Sequence, residues 1–539
     1  MMRSSVIICV LIIFLELRLS REQGLAIVEC SIPSDTNLTP EESINKNAET
    51  YIELIYKLHK DHNIAVIIFP EGTLDNVQRK EDLKLYSTKV VDKENPCNSH
   101  RANYPTFLHR LSCAARKYDI IIVMNLIQEH NHNFYTSDVV LLADGSIKYS
   151  VLRELRPGNS FLSYDPIPLE VPANRKFHFA KSDDGKTAIS SSPYVSLSVT
   201  SMITGFSFSY EKIINQDEEQ EERYYLVCSN WISQLPFLTC SLQVYQMWAQ
   251  EYNFKLLFSG ANNPKTGQGG TGIFDGGPVL MDILGDGGTK AYVYYVNNRS
   301  FATPIESKDI DTLSTEMDKF KLEVDPDLHR YEYSILNLGQ NSSYNVVLCY
   351  NKTENNHFCC DFTLRTSIQE STNAKNRYTY HLVAYKGYKT YFEVFKTGGV
   401  EICGVVACLG SSPTSCGKRF RKYEKVGWPI TFEEIIIKAK FSWPLKDGIY
   451  LNSQFPSSLL SSMRPINPKH TNWSQEIIYD ENNVSYIERI FSLTEPHKKI
   501  LTFAIFGRNF TLQDERSSDR KLSLLSHFLL YINIFAALF

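Results

Sequence analysis

At 539 residues the chain is too long for one ordinary domain, and two or three folded units are expected. Its 43% hydrophobic and 12% aromatic content is that of a globular protein with a sizeable core. A formal charge of −4 gives no electrostatic case for a nucleic-acid partner, which would call for a clustered basic face, and none for an acidic partner either.

In chain order, Arg3 precedes a ten-residue apolar run, Val6 to Leu15, the length of a signal-peptide core and too short to span a bilayer. Residues 1–24 are read as that signal, cleaved between Ser20 and Gly24. Ile44, Ala48, Ile52, Ile55 and Leu58 then form one helical stripe. The run Val66 to Phe69 reads as an interior strand, and Glu71 follows it in "FPEGTLD", where open α/β sheets place their ligands. "FLHRLSCAARKYD" reads as a second amphipathic helix feeding the strand "IIIVMNL", and Asp144-Gly145 as a hairpin turn. Strands are expected at "YVSLSV" and "YYLVCS", and a helix at "LTCSLQVYQMWAQEYN". The alternation argues for a layered α/β domain over 25–320. "EHNHNF" and "DEEQEE" read as polar loops, and "GQGGTG", without the setting or Lys of a phosphate loop, as flexible backbone. No metal or cofactor site is expected.

From 321 to 510 the texture becomes rich in Val, Tyr, Phe and Thr, alternating with polar residues, which predicts a smaller β-rich domain. Six of the eleven cysteines beyond the signal lie between Cys349 and Cys416, so disulfides rather than zinc are expected to staple it. The odd count leaves at least one thiol. Seven N-x-S/T sites, at Asn37, Asn298, Asn341, Asn351, Asn472, Asn483 and Asn509, agree with secretion and predict surface positions. Residues 518–539 end in an 18-residue run without a fully charged side chain. With Ser517 as the attachment residue, this fits a glycolipid-anchor signal, a plain transmembrane helix being the alternative. The implied location is extracellular, at the surface of the plasma membrane.

Taken together, "FPEGTLD", "RLSCAARKYDIIIVMNL", "GQGGTGIFDG", "VLCYNKTENNHFCCDF" and "EICGVVACLGSSPTSCG" resemble, in order and spacing, the vanin and biotinidase family of the nitrilase superfamily. The resemblance implies an α-β-β-α sandwich followed by a disulfide-stapled β-rich base domain. It also implies hydrolysis of linear amides such as pantetheine or biotinyl amides. Such proteins use a Glu as base, a Lys cation for the oxyanion and a Cys as nucleophile, a division of labour that suits acyl transfer. Glu71 matches the base. The Lys position falls on Arg153, with Lys148 read as a solvated strand residue, and the Cys position falls on Val199. No cysteine occurs from Ala114 to Val227. Ser198, Thr200 and Ser201 are hydroxyls, harder to ionise than a thiol. Cys228 is read as a buried structural or disulfide cysteine, a replacement nucleophile being the alternative. The expected function is therefore a non-catalytic binding or interaction protein with a small amide or vitamin-like ligand. The alternative is an amidohydrolase with an altered nucleophile.

Overall fold

The computed structural model describes residues 24–509 apart from 32–36, 76–81, 92, 100–102, 131–132, 155–179, 182–187, 192–222, 231–233, 253–254, 296–298, 303–307, 338, 340–341, 352–356, 370–375, 392–394, 443–444, 447–448, 451 and 480–484. The first domain is built on strands β1 (Gly24–Glu29), β2 (Ile64–Ile68), β3 (Ile121–His130), β4 (Asn133–Leu141), β5 (Ile147–Glu154), β6 (Ala180–Lys181), β7 (Ala188–Ser191) and β8 (Arg223–Ser229). It continues with β9 (Lys255–Gly260), β10 (Thr271–Phe274), β11 (Pro278–Asp282), β12 (Lys290–Tyr295) and β13 (Ser300–Phe301). One sheet runs β13-β12-β1-β2-β3-β4-β5 and the other β11-β10-β9-β8-β7-β6. Both have parallel centres: β1, β2 and β3 in the first, β7, β8 and β9 in the second.

Strand alternation divides the apolar runs between two cores. Leu25, Ile27, Val66, Ile68, Leu226 and Leu257 fill the space between the sheets. Ala26, Val28, Ile67 and Phe69 face outward, under helices α1 (Pro40–His62) and α2 (Thr106–Tyr118). A strand covered on both faces needs no polar alternation, which is why these segments read as continuous apolar stretches. Helix α3 (Ser241–Tyr252) covers the outer face of the second sheet, so the layers run α-β-β-α, as the resemblance implied.

Helix α1 begins at a capping box, Thr39 with Glu42, has Pro40 in its first turn, and ends at Asn63 in a left-handed conformation. Its buried stripe is Ile44, Ala48, Tyr51, Ile55 and Leu58, so Tyr51 replaces the expected Ile52 as the buried residue. The reason is an aromatic partner: the Tyr51 ring stacks on Phe69 at 3.6 Å between centroids. The Asp144-Gly145 turn closes as expected, with Gly145 at φ +85° and Asp144 Oδ1 accepting from Ser146 N.

The second domain is two antiparallel sheets packed face to face. One has the order Glu332–Ile335, Thr379–Tyr391, Phe395–Cys408, Ile500–Asn509, Asn452–Leu460. The other runs Ser342–Asn351, His357–Ile368, Ile430–Ser442, Ser485–Leu493, Thr471–Tyr479, with His497–Lys498 also on Ile430–Ser442. Disulfides Cys349–Cys359, Cys360–Cys403 and Cys408–Cys416 staple it, and Cys97–Cys113 ties the first domain. Cys30, Cys228 and Cys240 remain thiols.

The domains share one core. Phe237, Tyr245, Met247 and Trp248 pack with Phe455, Phe503 and Phe506, and all ten residues of Ile500–Asn509 are buried. Polar seams follow the same contact: Gln243 Nε2 donates to Ser457 Oγ at 2.9 Å, Gln246 Nε2 to the Ile466 carbonyl at 2.7 Å, and Thr502 Oγ1 to the Pro236 carbonyl at 2.9 Å. Glu251, at the end of α3, accepts from Arg489 Nη2 at 2.6 Å and from Trp473 Nε1 at 2.5 Å. Burial raises the Glu251 carboxyl above its ordinary value, and the Arg489 charge opposes that shift. Removing one member of a buried pair leaves the other charge uncompensated. Glu251→Ala is therefore expected to destabilise the protein by about 3 kcal/mol. The loss should appear in denaturant unfolding, and a loss no larger than that of an exposed surface substitution would contradict the pairing.

Candidate functional site

Glu71 follows β2 directly and is 5% exposed, so the carboxyl sits inside the molecule and not on a surface loop. The loop carrying it is held by α1: Tyr51 Oη and Thr73 Oγ1 are 2.6 Å apart, and Asn47 Nδ2 donates to the Leu74 carbonyl at 2.8 Å. Thr73 Oγ1 also bonds the Pro70 carbonyl at 3.0 Å. Gly72 has φ +69°, and a Cβ there would lie 2.9 Å from Asn230 Nδ2. A glycine is thus required where the Glu71 loop of one sheet meets the end of β8 in the other.

Three further polar residues lie toward this end of the first sheet. Asn125 on β3 donates to Asp138 Oδ1 at 2.6 Å and accepts from Thr136 Oγ1 at 2.9 Å, all three being buried. On the second sheet, Gln268 Nε2 donates to Asn230 Oδ1 at 2.6 Å, and Ser229 Oγ lies 2.9 Å from Ser241 Oγ. The ends of β2, β3, β4 and β8 thus gather buried hydrogen-bonding groups, the few convergent polar positions that a ligand site in a layered α/β fold needs.

Arg153 lies on β5, where the register pairs it with Thr136, beside that polar row. Val199, Ser198, Thr200, Ser201 and Trp231 lie outside the described residues, as does Ser517. Cys228 is 1% exposed and packs in the aliphatic core between the sheets with Ile68, Leu226 and Leu257; it forms no disulfide. Burial pushes the Cys30 thiol up to about 11 and the Cys240 thiol up to about 12. Neither offers the low-pKa thiolate that attacks a carbonyl.

Of the glycosylation positions, Asn37 and Asn472 are exposed and Asn351 ends a strand, while Asn298, Asn341 and Asn483 lie outside the described residues. Asn509 corrects the expectation of a surface site. It is 2% exposed, and its Nδ2, the atom a glycan would occupy, donates to Glu401 Oε1 at 3.0 Å.

One buried acid escaped sequence reading. Glu29 ends β1 at 0% exposure, and its Oε1 accepts from Asn262 Nδ2 at 2.6 Å, Leu284 N at 3.0 Å and Gly270 N at 3.2 Å. "GLAIVEC" gives the same signal as "AVIIFPE", an acid closing an apolar strand. Glu29 also corrects the reading of "GQGGTG" as flexible backbone. A Cβ at Gly270 would meet Leu242 Cγ at 2.9 Å and one at Gly260 would meet the Gly270 carbonyl at 2.0 Å, so these glycines permit close packing.

Residues 320–513 match the vanin C-terminal domain. Vanin-like protein 1 of Drosophila melanogaster is 26% identical over 491 residues, covering 85% of this chain and 81% of the relative. Vanin-like protein 2 of the same fly is 24% identical, covering 92% of each. Among solved structures, Nit3 of Saccharomyces cerevisiae, a member of branch 10 of the nitrilase superfamily, is 13% identical over 48% of this chain and 86% of its own, with a TM-score of 0.32. An amidase from Nesterenkonia sp. is 11% identical over 51% and 89%, with a TM-score of 0.33. No residue role follows from likeness at that level. In this chain the four-layered sandwich carries an acid buried past a strand end and is joined to a β-rich base domain. Residues 320–513 thus match a vanin C-terminal domain, and the chain is similar over most of its length to vanin-like proteins.

Glu29 also sets a pH dependence. Burial, with Asp282 nearby, raises its carboxyl from 4.5 to about 8, against the three hydrogen bonds that lower it. The folded state then holds a proton that the unfolded chain releases near pH 4.5, so stability falls as pH rises from there through about 8. Glu29→Gln keeps the shape and removes the titration. Melting temperatures at pH 5 and pH 9 should fall less in this variant than in the parent, and parallel profiles would contradict the buried proton.

Proposed function

We propose that this vanin-like protein is secreted, held at the cell surface by a C-terminal glycolipid anchor, and binds a small amide or vitamin-like ligand at the Glu71 end of the sandwich without cleaving it. The observation that supports the reading is the cysteine gap: no cysteine occurs from Ala114 to Val227, and by resemblance the family's nucleophile position falls on Val199. A hydrocarbon side chain has no lone pair with which to form an acyl intermediate.

The described thiols support the same view, since Cys30, Cys228 and Cys240 are each at most 1% exposed. Arg153 in the lysine position keeps a positive charge but carries it on a wider planar fork, which suits holding a carboxylate or carbonyl better than delivering a point charge to an oxyanion. Glu71 would serve as a hydrogen-bond acceptor for an amide N–H.

The test uses the purified chain against a panel of pantetheine-like and biotinyl amides. No turnover is expected, together with a rise of a few degrees in melting temperature with at least one panel member, because a ligand that binds only the folded state stabilises it. Glu71→Gln should reduce that rise. Turnover that Glu71→Gln abolishes would instead establish an amidohydrolase with an altered nucleophile, and no thermal shift with any member would remove the binding role.

A further inference from the structure

Among the described residues, two sheet edges in the base domain are open. Ser342–Asn351 and Thr471–Tyr479 are the outer strands of one sheet, ten and nine residues long. The other base-domain sheet manages its edges differently: Glu332–Ile335 is four residues long, and Asn452–Leu460 is covered by the first domain through Gln243 and Phe237. An open strand presents unpaired backbone groups and templates association unless charge, proline, brevity or a cover intervenes. "SSYNVVLCYN" has no charged residue and no proline, and it exposes Val347 at 65%. "TNWSQEIIY" has Glu476 as its single charge, no proline, and exposes Ile477 at 40%. Both fit the apolar, β-prone, weakly charged segments that stack between chains. The disulfide Cys349–Cys359 also ties the first of these strands to its neighbour, so it cannot withdraw from the edge.

Each of these strands carries a glycosylation sequon. Asn351 is the last residue of one, and Asn472, which is exposed, is the second residue of the other. Two further sequons, at Asn341 and Asn483, adjoin the same segments in sequence. In the same domain, the sequon on the interior strand Ile500–Asn509 is buried. We infer that N-glycans on Asn351 and Asn472 cover the two open edges of this sheet and keep the protein monomeric. A glycan is bulky and hydrated, and it takes the place of the missing lysine or proline. The inference rests on the proposed secretion, which brings the chain to the glycosylating compartment.

The full chain, secreted from eukaryotic cells, is analysed by glycopeptide mass spectrometry and light scattering. Asn37, Asn351 and Asn472 should be occupied, Asn509 bare, and the protein monomeric. Asn351→Gln with Asn472→Gln should shift it to dimers or larger species, as should Thr353→Ala with Ser474→Ala, which remove the same glycans and keep the asparagines. Adding Val347→Lys and Ile477→Lys to either background should restore the monomer, a rescue that general misfolding would not give. Glycan at Asn37 with Asn351 and Asn472 bare, or glycan-free variants that stay monomeric, would overturn the inference while leaving secretion standing. A chain bare at every sequon would overturn both.

Discussion

The fold depends on burying helix α3 between two domains. Its Tyr245 and Trp248 lie in one continuous core with Phe258 from the sandwich and Phe455 and Phe506 from the base. A helix buried on nearly all sides cannot end a molecule, so the sandwich is incomplete until the base domain covers it. The polar groups on α3 confirm the direction of that contact. Gln243, Gln246 and Glu251 each make a hydrogen bond to a base-domain partner. Docking of this kind fixes the second sheet, and with it the β8 end, where Asn230 meets the Glu71 loop. The candidate site is thus held from both sides: by α1 through Tyr51 and Asn47, and by α3 through Ser241.

That rigidity bears on chemistry. Acyl transfer needs a nucleophile, a base and an oxyanion donor within a few tenths of an ångström of their working places. Here a buried acid sits among hydrogen-bonded groups, while under the proposed reading the resemblance puts the nucleophile position on Val199. A preorganised polar end is suited to recognition, because the cost of ordering the site is met before a ligand arrives.

Much of this was legible in the residues. Continuous aliphatic runs gave the doubly covered strands, the Thr39 and Pro40 start gave α1, and the Asp144-Gly145 pair gave its hairpin because that turn needs a positive φ. The cysteine-dense segment gave a stapled β domain, but not the pairing, which depends on which strands become neighbours. What periodicity could not show are effects of distant partners. Tyr51 displaced Ile52 because Phe69 lies across from it. Glycines 269 and 270 read as slack but pack against Ile283 and Leu242. Asn509 reads as a surface sequon but lies on a strand buried by both its own sheet and the first domain. At the site, Glu71 stood out because proline and glycine flank it, whereas Asn125 and Asp138 were hidden as single polar residues within strands.

The proposed loss of thiol chemistry is tested most directly by intact-mass spectrometry of the protein incubated with an activated ester of a pantetheine-like or biotinyl acid, an acyl donor that any competent nucleophile would accept. The account predicts an unmodified mass, apart from slow, Glu71-independent labelling of surface lysines. A stoichiometric acyl adduct mapped to Cys228 or to a hydroxyl near Val199, and lost in Glu71→Gln, would contradict it.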